Sequence, residues 1–214
     1  MSAAVSTLSY STPSAPGWLH RALRHRSFVI GAVLSALLIL AALLSFVWTP
    51  WSPYEMDLAN KLASPSGTHW LGTDAFGRDV ASLLLVGARN SILVGVIAVG
   101  IGLTIGTALG LLAAAKRGWV EELIMRLADF TFAFPAILSA IMMTAVFGAG
   151  IVNSIIAIGI FNIPTFARVT RASANAVWSR EYILASRACG KGSWRITLEH
   201  VLPNILSVLI VQAT

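Results

Sequence analysis

Hydrophobic and polar positions fall along this chain in long blocks, not in the short alternation of a soluble strand. Phe28–Val47 is uncharged and apolar and matches the roughly 20 residues needed to cross hydrocarbon. Its core is too long for a signal peptide, and the following Trp48-Thr49-Pro50-Trp51 offers no small-residue cleavage site. An uncleaved membrane helix is expected, with Trp48 and Trp51 as an aromatic anchor at its far end. Ser91–Ala115 is a second uncharged block, Leu123–Val146 a third, Val152–Ala167 a fourth, and Val201–Thr214 begins a fifth. That fifth block is too short to cross comfortably.

The connections carry their own signals. Pro50, Pro53 and Pro65 argue against a long helix early in the 49–90 connection, while Val80–Ala88 has a helical apolar pattern suited to lying along the interface. Gly102, Gly106 and Gly110 recur at four-residue spacing, which places them on one helix face where a neighbouring backbone can approach closely. Lys116-Arg117-Gly118 should end the second span, with Glu121 and Glu122 near the next helix N-terminus. Arg126 and Asp129, three residues apart, are expected to pair on one face. Pro135 should kink the third span and Pro164 interrupt the fourth, with a tight turn at Phe147–Ile151 between them.

Composition sharpens this into a membrane protein. The chain of 214 residues is 57% hydrophobic and 11% charged, against about 25% charged in an average soluble domain. The expected fold is all-α, a polytopic transmembrane helical bundle. The net charge of +6 is read as loop and headgroup charge. No basic cluster is interleaved with aromatics as nucleic-acid binding would need. Arg21, Arg24 and Arg26 in the tail, Lys116, Arg117 and Arg126 in one turn, and six basic residues over 168–195 fall on one side if the spans alternate. Only Lys61, Arg78 and Arg89 fall opposite, so the N-terminus is expected to be cytoplasmic. The organisation is a basic cytoplasmic tail at 1–27, a first transmembrane helix at 28–48, an extracytoplasmic connection at 49–90, and a membrane core at 91–214 with a cytoplasmic loop at 168–200.

Candidate chemistry is sparse. Cys189 is the single cysteine, and His20, His25, His69 and His200 show no metal-ligand spacing. No phosphate-binding Gly-x-x-x-x-Gly-Lys-Ser/Thr pattern occurs, and no catalytic constellation stands out. The expectation is a non-enzyme, with no cofactor and no metal of its own. The informative segment is 168–204. Glu181–Cys189 reads as a short helix, Gly190-Lys191-Gly192 as a break, and Ser193–His200 as a second helix with Ser193 as its N-cap. Ala185, Ser186, Ala188 and Cys189 form a small-residue face on which a cytoplasmic partner could pack. The competing physical reading is an interfacial helix on anionic lipid.

The stretch Glu181–Asn204 resembles the cytoplasmic "EAA" loop of binding-protein-dependent ABC importer permeases. The motif's small residues fall on Ala185 and Ser186, its glycine on Gly190, and its ending on Leu202-Pro203-Asn204. Its glutamate falls on Leu184, with Glu181 one turn earlier. A second stretch, His69-Trp70-Leu71-Gly72-Thr73-Asp74-Ala75-Phe76-Gly77-Arg78-Asp79-Val80 followed by Gly87–Ser91, resembles the N-terminal signature of the C-type permease in the dipeptide/oligopeptide/nickel branch. Arg126–Asp129 and Ala133-Phe134-Pro135 have counterparts there. The resemblance covers roughly residues 20–214, and with six spans usual in the family and about five here, it implies a C-terminally truncated permease.

What the resemblance implies is a multi-pass subunit of a bacterial inner membrane. It would form a peptide pathway with a homologous permease, receive cargo from an extracytoplasmic solute-binding protein, and dock on two ATPase subunits that bind ATP and Mg. The implied docking residues are Glu181, Leu184, Ala185, Ser186, Arg187, Ala188, Gly190 and Trp194. The family signature is carried by Gly72, Thr73, Asp74, Gly77, Arg78, Asp79 and Pro203. Met142, Met143, Asn153 and Asn162 are the first places to look for a pathway lining. The alternatives are a nickel or other small-solute importer of the same class, a transporter not driven by ATP, or a structural membrane subunit. Nearly charge-free spans disfavour proton coupling.

Overall fold

The computed structural model describes residues 23–148 and 150–214. Most of the basic tail, including His20 and Arg21, and Ala149 of the expected tight turn lie outside the described residues. The chain divides into two compact units, one ending at Arg89 and one running from Asn90 to Thr214. Helices dominate. Among the described residues, β pairing is limited to an isolated bridge between Thr73 and Asp79.

In the first unit, α1 (Arg26–Val47) is a single 22-residue helix, about 33 Å long at 1.5 Å per residue and so long enough to span. Only Ala42 and Ser45 on it are buried. Leu34, Leu37 and Leu40 are among its many exposed apolar side chains, the surface a helix presents to lipid or to a partner helix. A short 3-10 turn (Leu58–Asn60) lies in the following connection. Trp48 packs against Trp70 with tilted rings, centroids 5.8 Å apart, and Trp51 Nε1 donates to the Thr68 carbonyl at 2.9 Å.

Helix α2 (Val80–Ile101), a π-helical segment (Gly102–Gly106) and α3 (Thr107–Lys116) form one 37-residue helical rod. Val80–Ala88 is therefore the first part of this rod and not a separate segment. Its uninterrupted helical hydrogen bonding overrides the polar boundary near Arg89-Asn90. Arg117, at φ +52°, ends the rod and begins α4 (Gly118–Ala133).

The second unit is organised around α6 (Ile151–Trp178), which packs against α3, the first π segment, α4, α5 (Ala136–Phe147) and α9 (Leu202–Ala213). Pro164 does not interrupt α6, which stays helical over 28 residues. Pro164 is itself buried, so neighbouring packing holds the helix through the missing N–H. Pro135 does more than kink its span. Phe134 and Pro135 are extended, and α4 and α5 meet at 78°. The last helical stretch runs without a break from α8 (Ser193–Ile196) through a π segment (Thr197–Val201) into α9, giving 21 residues from Ser193 to Ala213. The second short helix expected to stop at His200 is thus the start of a longer one. Leu111, Phe166, Trp178, Ile183, Ile196 and Ile205 form the core of this unit. By length and apolar composition the described residues hold four helices able to cross a membrane, or five if the bent α4–α5 pair is one span.

Candidate coupling loop and packing sites

Helix α7 (Glu181–Ala188) follows α6 after only Ser179 and Arg180. Its fold follows from three residues. Ile183 is fully buried in the core and fixes which face points inward. The Arg187 guanidinium lies 5.1 Å over the ring of Trp178, a buried tryptophan at the end of α6. Gly190, at φ +79°, closes the helix with a paired turn. The Gly190 N–H donates to the Arg187 carbonyl at 2.9 Å and the Lys191 N–H to the Ser186 carbonyl at 3.1 Å, the double hydrogen bond that a left-handed residue just past a helix end makes possible.

The next helix starts with Gly192 at the N-cap, not Ser193, which is the first helical residue. Lys191 Nζ reaches Glu199 at 2.8 Å and Arg195 pairs with the same carboxylate, so the break is tied to the helix after it. Pro203 stands in the first turn of α9, just past the π segment.

With Ile183 inward, the outward residues of α7 are Glu181, Tyr182, Leu184, Ala185, Arg187 and Ala188, and Ser186 is half-buried, its hydroxyl donating to the Tyr182 carbonyl at 2.9 Å. Leu184 and Trp194 are 55% and 62% exposed, which leaves two large apolar side chains available to a partner. An open cleft of about 1000 Å³ lies beside this face, lined by Val177, Arg180, Glu181, Tyr182 and Asn204.

The signature residues of the 49–90 connection build a different kind of site. Thr73 donates its hydroxyl to the Asn60 carbonyl and accepts from the Ala63 N–H at 2.8 Å. Asp74 Oδ1 accepts from the N–H groups of Phe76 and Arg78, and Oδ2 takes the Arg78 guanidinium at 2.8 and 2.6 Å. The guanidinium holds the Asp74 carboxyl below its ordinary range. Gly72 and Gly77 adopt positive φ, where a side chain would run into the backbone of Ala63 and Asp57.

Asp79 is buried at the head of α2. It accepts from His69 Nδ1 at 3.0 Å and from the Ser82 N–H and hydroxyl at 2.8 Å. Burial pushes its carboxyl up, but the Ser82 and His69 hydrogen bonds outweigh this and hold it below its ordinary value. These contacts make the signature a structural knot that fixes the entry to α2.

Gly102, Gly106 and Gly110 lie against α6. A Cβ on Gly106 would come within 2.5 Å of the Ile163 carbonyl oxygen, one on Gly110 within 2.5 Å of the Ala167 carbonyl oxygen, and one on Gly102 into Asn162. Asn162 is thus held against the glycine row. Met142 and Met143 line an apolar cavity of about 300 Å³ between α5 and α6 with Phe134, Val146, Ile160 and Phe161. Asn153 is occupied elsewhere, its amide donating to the Phe147 and Gly148 carbonyls at 2.9 and 2.7 Å.

Arg126 does not pair with Asp129. It pairs with Glu122 one turn back at 2.6 Å, Asp129 being taken by Arg168 of α6. Glu121 pairs with Arg171 of the same helix. These interhelical pairs were missed from sequence because their partners lie 39 and 50 positions apart. Three acids on α4 and two arginines on α6 were the available signal.

Residues 106–214 match the family described as binding-protein-dependent transport system inner membrane component. The chain belongs to this family. Residues 18–65 match the N-terminal transmembrane domain of oligopeptide transport permease C. The chain is 40% identical to the dipeptide transport system permease protein DppC of Alkalihalophilus pseudofirmus, over 89% of this chain and 63% of that one. It is 38% identical to the glutathione transport system permease protein GsiD of Pectobacterium atrosepticum, over 95% of this chain and 67% of the relative, and 41% identical to GsiD of Escherichia coli O157:H7, over 86% and 62%. The chain thus spans about two thirds of the length of these relatives. As a family member with several long apolar helices, it is a multi-pass inner-membrane protein.

Proposed function

We propose that this chain is the transmembrane permease subunit of an ATP-binding-cassette importer for di- and oligopeptides. The observation that carries the reading is the α7–Gly190–α8 hairpin. It is a short helix anchored inward by Ile183 and Trp178 and turned outward at Leu184, Ala185 and Trp194. That is the form expected of a docking element. It is rigid where it joins the membrane helices, and apolar and uncovered where a partner would sit.

In this reading the chain supplies half of the pathway and a homologous permease the other half. An extracytoplasmic solute-binding protein delivers cargo. Two cytoplasmic ATPase subunits bind ATP and Mg, and each permease seats its α7 in one of them. Closure of the ATPase pair moves α7, and α6 carries that movement into the membrane. The N-terminus and the 168–200 loop face the cytoplasm, in keeping with their basic residues. Relatives named for dipeptide and glutathione transport favour short peptides over a metal cargo.

The test is a mild-detergent pull-down of the chain from its native membrane, with ATP hydrolysis measured on the eluate and dipeptide and nickel uptake measured after reconstitution. Co-elution of a second permease and ATPases, with peptide uptake driven by ATP, supports the reading. Elution of the chain alone, or uptake of nickel and not peptide, overturns it.

A further inference from the structure

In the importer reading, a movement of α7 would be passed to α6 through the Arg187–Trp178 contact and the two-residue link between the helices. How it would reach the other membrane helices is a separate question, and the α4–α6 contact answers it. Arg171 pairs with Glu121 and Arg168 with Asp129, and Arg168 also lies 4.4 Å over the ring of Phe132. The earlier acid on α4 takes the later arginine on α6, so the two helices run antiparallel at this contact. Glu121 and Asp129 are eight positions apart, about 12 Å along α4 at 1.5 Å per residue. The arginines are three positions apart. Their long side chains therefore splay to grip α4 at two heights.

Away from these pairs the contact is mostly apolar, with Ile124 and Ala128 of α4 buried, and an open cleft lies where α3, α4 and α6 meet. The cleft, of about 160 Å³, is lined by Leu109, Ile124, Leu127, Ile163 and Pro164. Apolar contacts carry little directional preference of their own, whereas charge-assisted arginine–carboxylate bonds add geometric specificity. Beyond Ala133 the backbone turns by 78° into α5, so any rotation of α4 redirects α5 and the apolar cavity it shares with α6.

We propose that Arg168 and Arg171 are positioning residues for transport: their ion pairs to Asp129 and Glu121 lock α4 to α6, so that movement of the coupling helix is delivered to α4 and α5 instead of being lost by slippage. This rests on the importer reading above. The assignment concerns charge and register, not bulk, and it separates hydrolysis from transport. ATP turnover belongs to the partner subunits and continues when the lock is broken, while cargo moved per ATP falls.

The experiment uses the whole transporter reconstituted in liposomes, with peptide uptake and ATP hydrolysis measured together. Wild type reports on the importer reading alone; absence of ATP-driven uptake there defeats that reading whatever the variants do. Asp129→Arg and Arg168→Asp singly are expected to lower peptide imported per ATP by about fivefold or more, and the double swap to restore it to within about twofold. Glu121→Arg and Arg171→Glu should behave in the same way. Single reversals that keep the wild-type ratio, or an assembled swap as defective as either single, would overturn the lock.

A second measurement does not depend on charge. In a Cys189→Ser background, Asp129→Cys with Arg168→Cys is joined by a short bifunctional thiol reagent. Uptake per ATP should rise on joining. If joining abolishes uptake, the pair must open during transport and the lock is refuted.

Discussion

Asp79 and His69 are joined at 3.0 Å beneath the start of α2, with the carboxylate buried and the ring largely so. The same carboxylate caps the first turn of α2 through Ser82, and Ser82 Oγ in turn accepts the Trp51 N–H at 3.0 Å. One acidic side chain therefore ties two segments of the connection, around His69 directly and around Trp51 through Ser82, to the head of a membrane helix.

Replacing Asp79 should be costly. Asp79→Ala removes the helix cap on the Ser82 N–H, typically worth about 1 kcal/mol, and leaves the buried Ser82 hydroxyl short of a partner, which adds about 1–3 kcal/mol. Asp79→Asn keeps an acceptor and should lose less. Thermal unfolding of the detergent-solubilised complex should rank wild type above Asn above Ala; equal midpoints would show that the knot does not contribute to stability.

The same knot should fail in acid. Hydrogen bonds hold the carboxyls of Asp57, Asp74 and Asp79 below their ordinary value. Asn60 is the main cause at Asp57 and Arg78 at Asp74; at Asp79 the bonds from Ser82 and His69 prevail over burial. A lowered folded pKa stabilises above the unfolded pKa, about 3.9 for aspartate, and that stabilisation is lost as pH falls through the folded value. Hydrogen-exchange protection factors over residues 57–82, corrected for the intrinsic pH dependence of amide exchange, should be flat from pH 8 to about 5 and fall below about 4. A fall between pH 6 and 7 would show that these carboxylates do not set the transition.

The helices were legible because membrane spans are written in uninterrupted apolar blocks, and the break at Gly190 because few residues other than glycine accept its backbone angle. Less legible was anything decided between helices. Pro164 reads as a breaker on its own, yet α6 continues through it because the surrounding helices bury it. Arg126 had two acids within reach, and spacing alone does not choose between Glu122 and Asp129. Arg168 and Arg171 drew attention as cytoplasmic charge, but their partners on α4 are set by tertiary pairing, which no local pattern encodes. The outward face of α7 was readable as small residues, whereas the burial of Ile183 that orients it depends on α6 and α8.

The glycine row gives a clean packing test. Gly106→Ala would put a methyl against the backbone oxygen of Ile163, and backbone cannot rotate aside as a side chain would. Forcing α6 away should cost about 1–3 kcal/mol. Gly100, on the same rod with open space around it, serves as the control, since Gly100→Ala replaces a poor helix former with the best one, for a gain of up to about 1 kcal/mol. The two variants should therefore move the unfolding temperature in opposite directions. A neutral Gly106→Ala would mean the close approach to α6 is not required.

Gly190 separates docking from coupling. Its φ of +79° costs an ordinary residue about 1–2 kcal/mol, so Gly190→Ala should loosen the α7–α8 turn and Gly190→Asn, which tolerates this region, should loosen it less. Gly190→Pro is incompatible twice over. Proline holds φ near −65° and has no N–H for the Arg187 carbonyl that Gly190 now bonds. Because Leu184 and Trp194 remain on the surface in all three variants, ATPase co-purification should persist while peptide imported per ATP falls in the order Asn, Ala, Pro. Unchanged transport per ATP in Gly190→Pro would mean that rigidity of this turn is not what carries the power stroke.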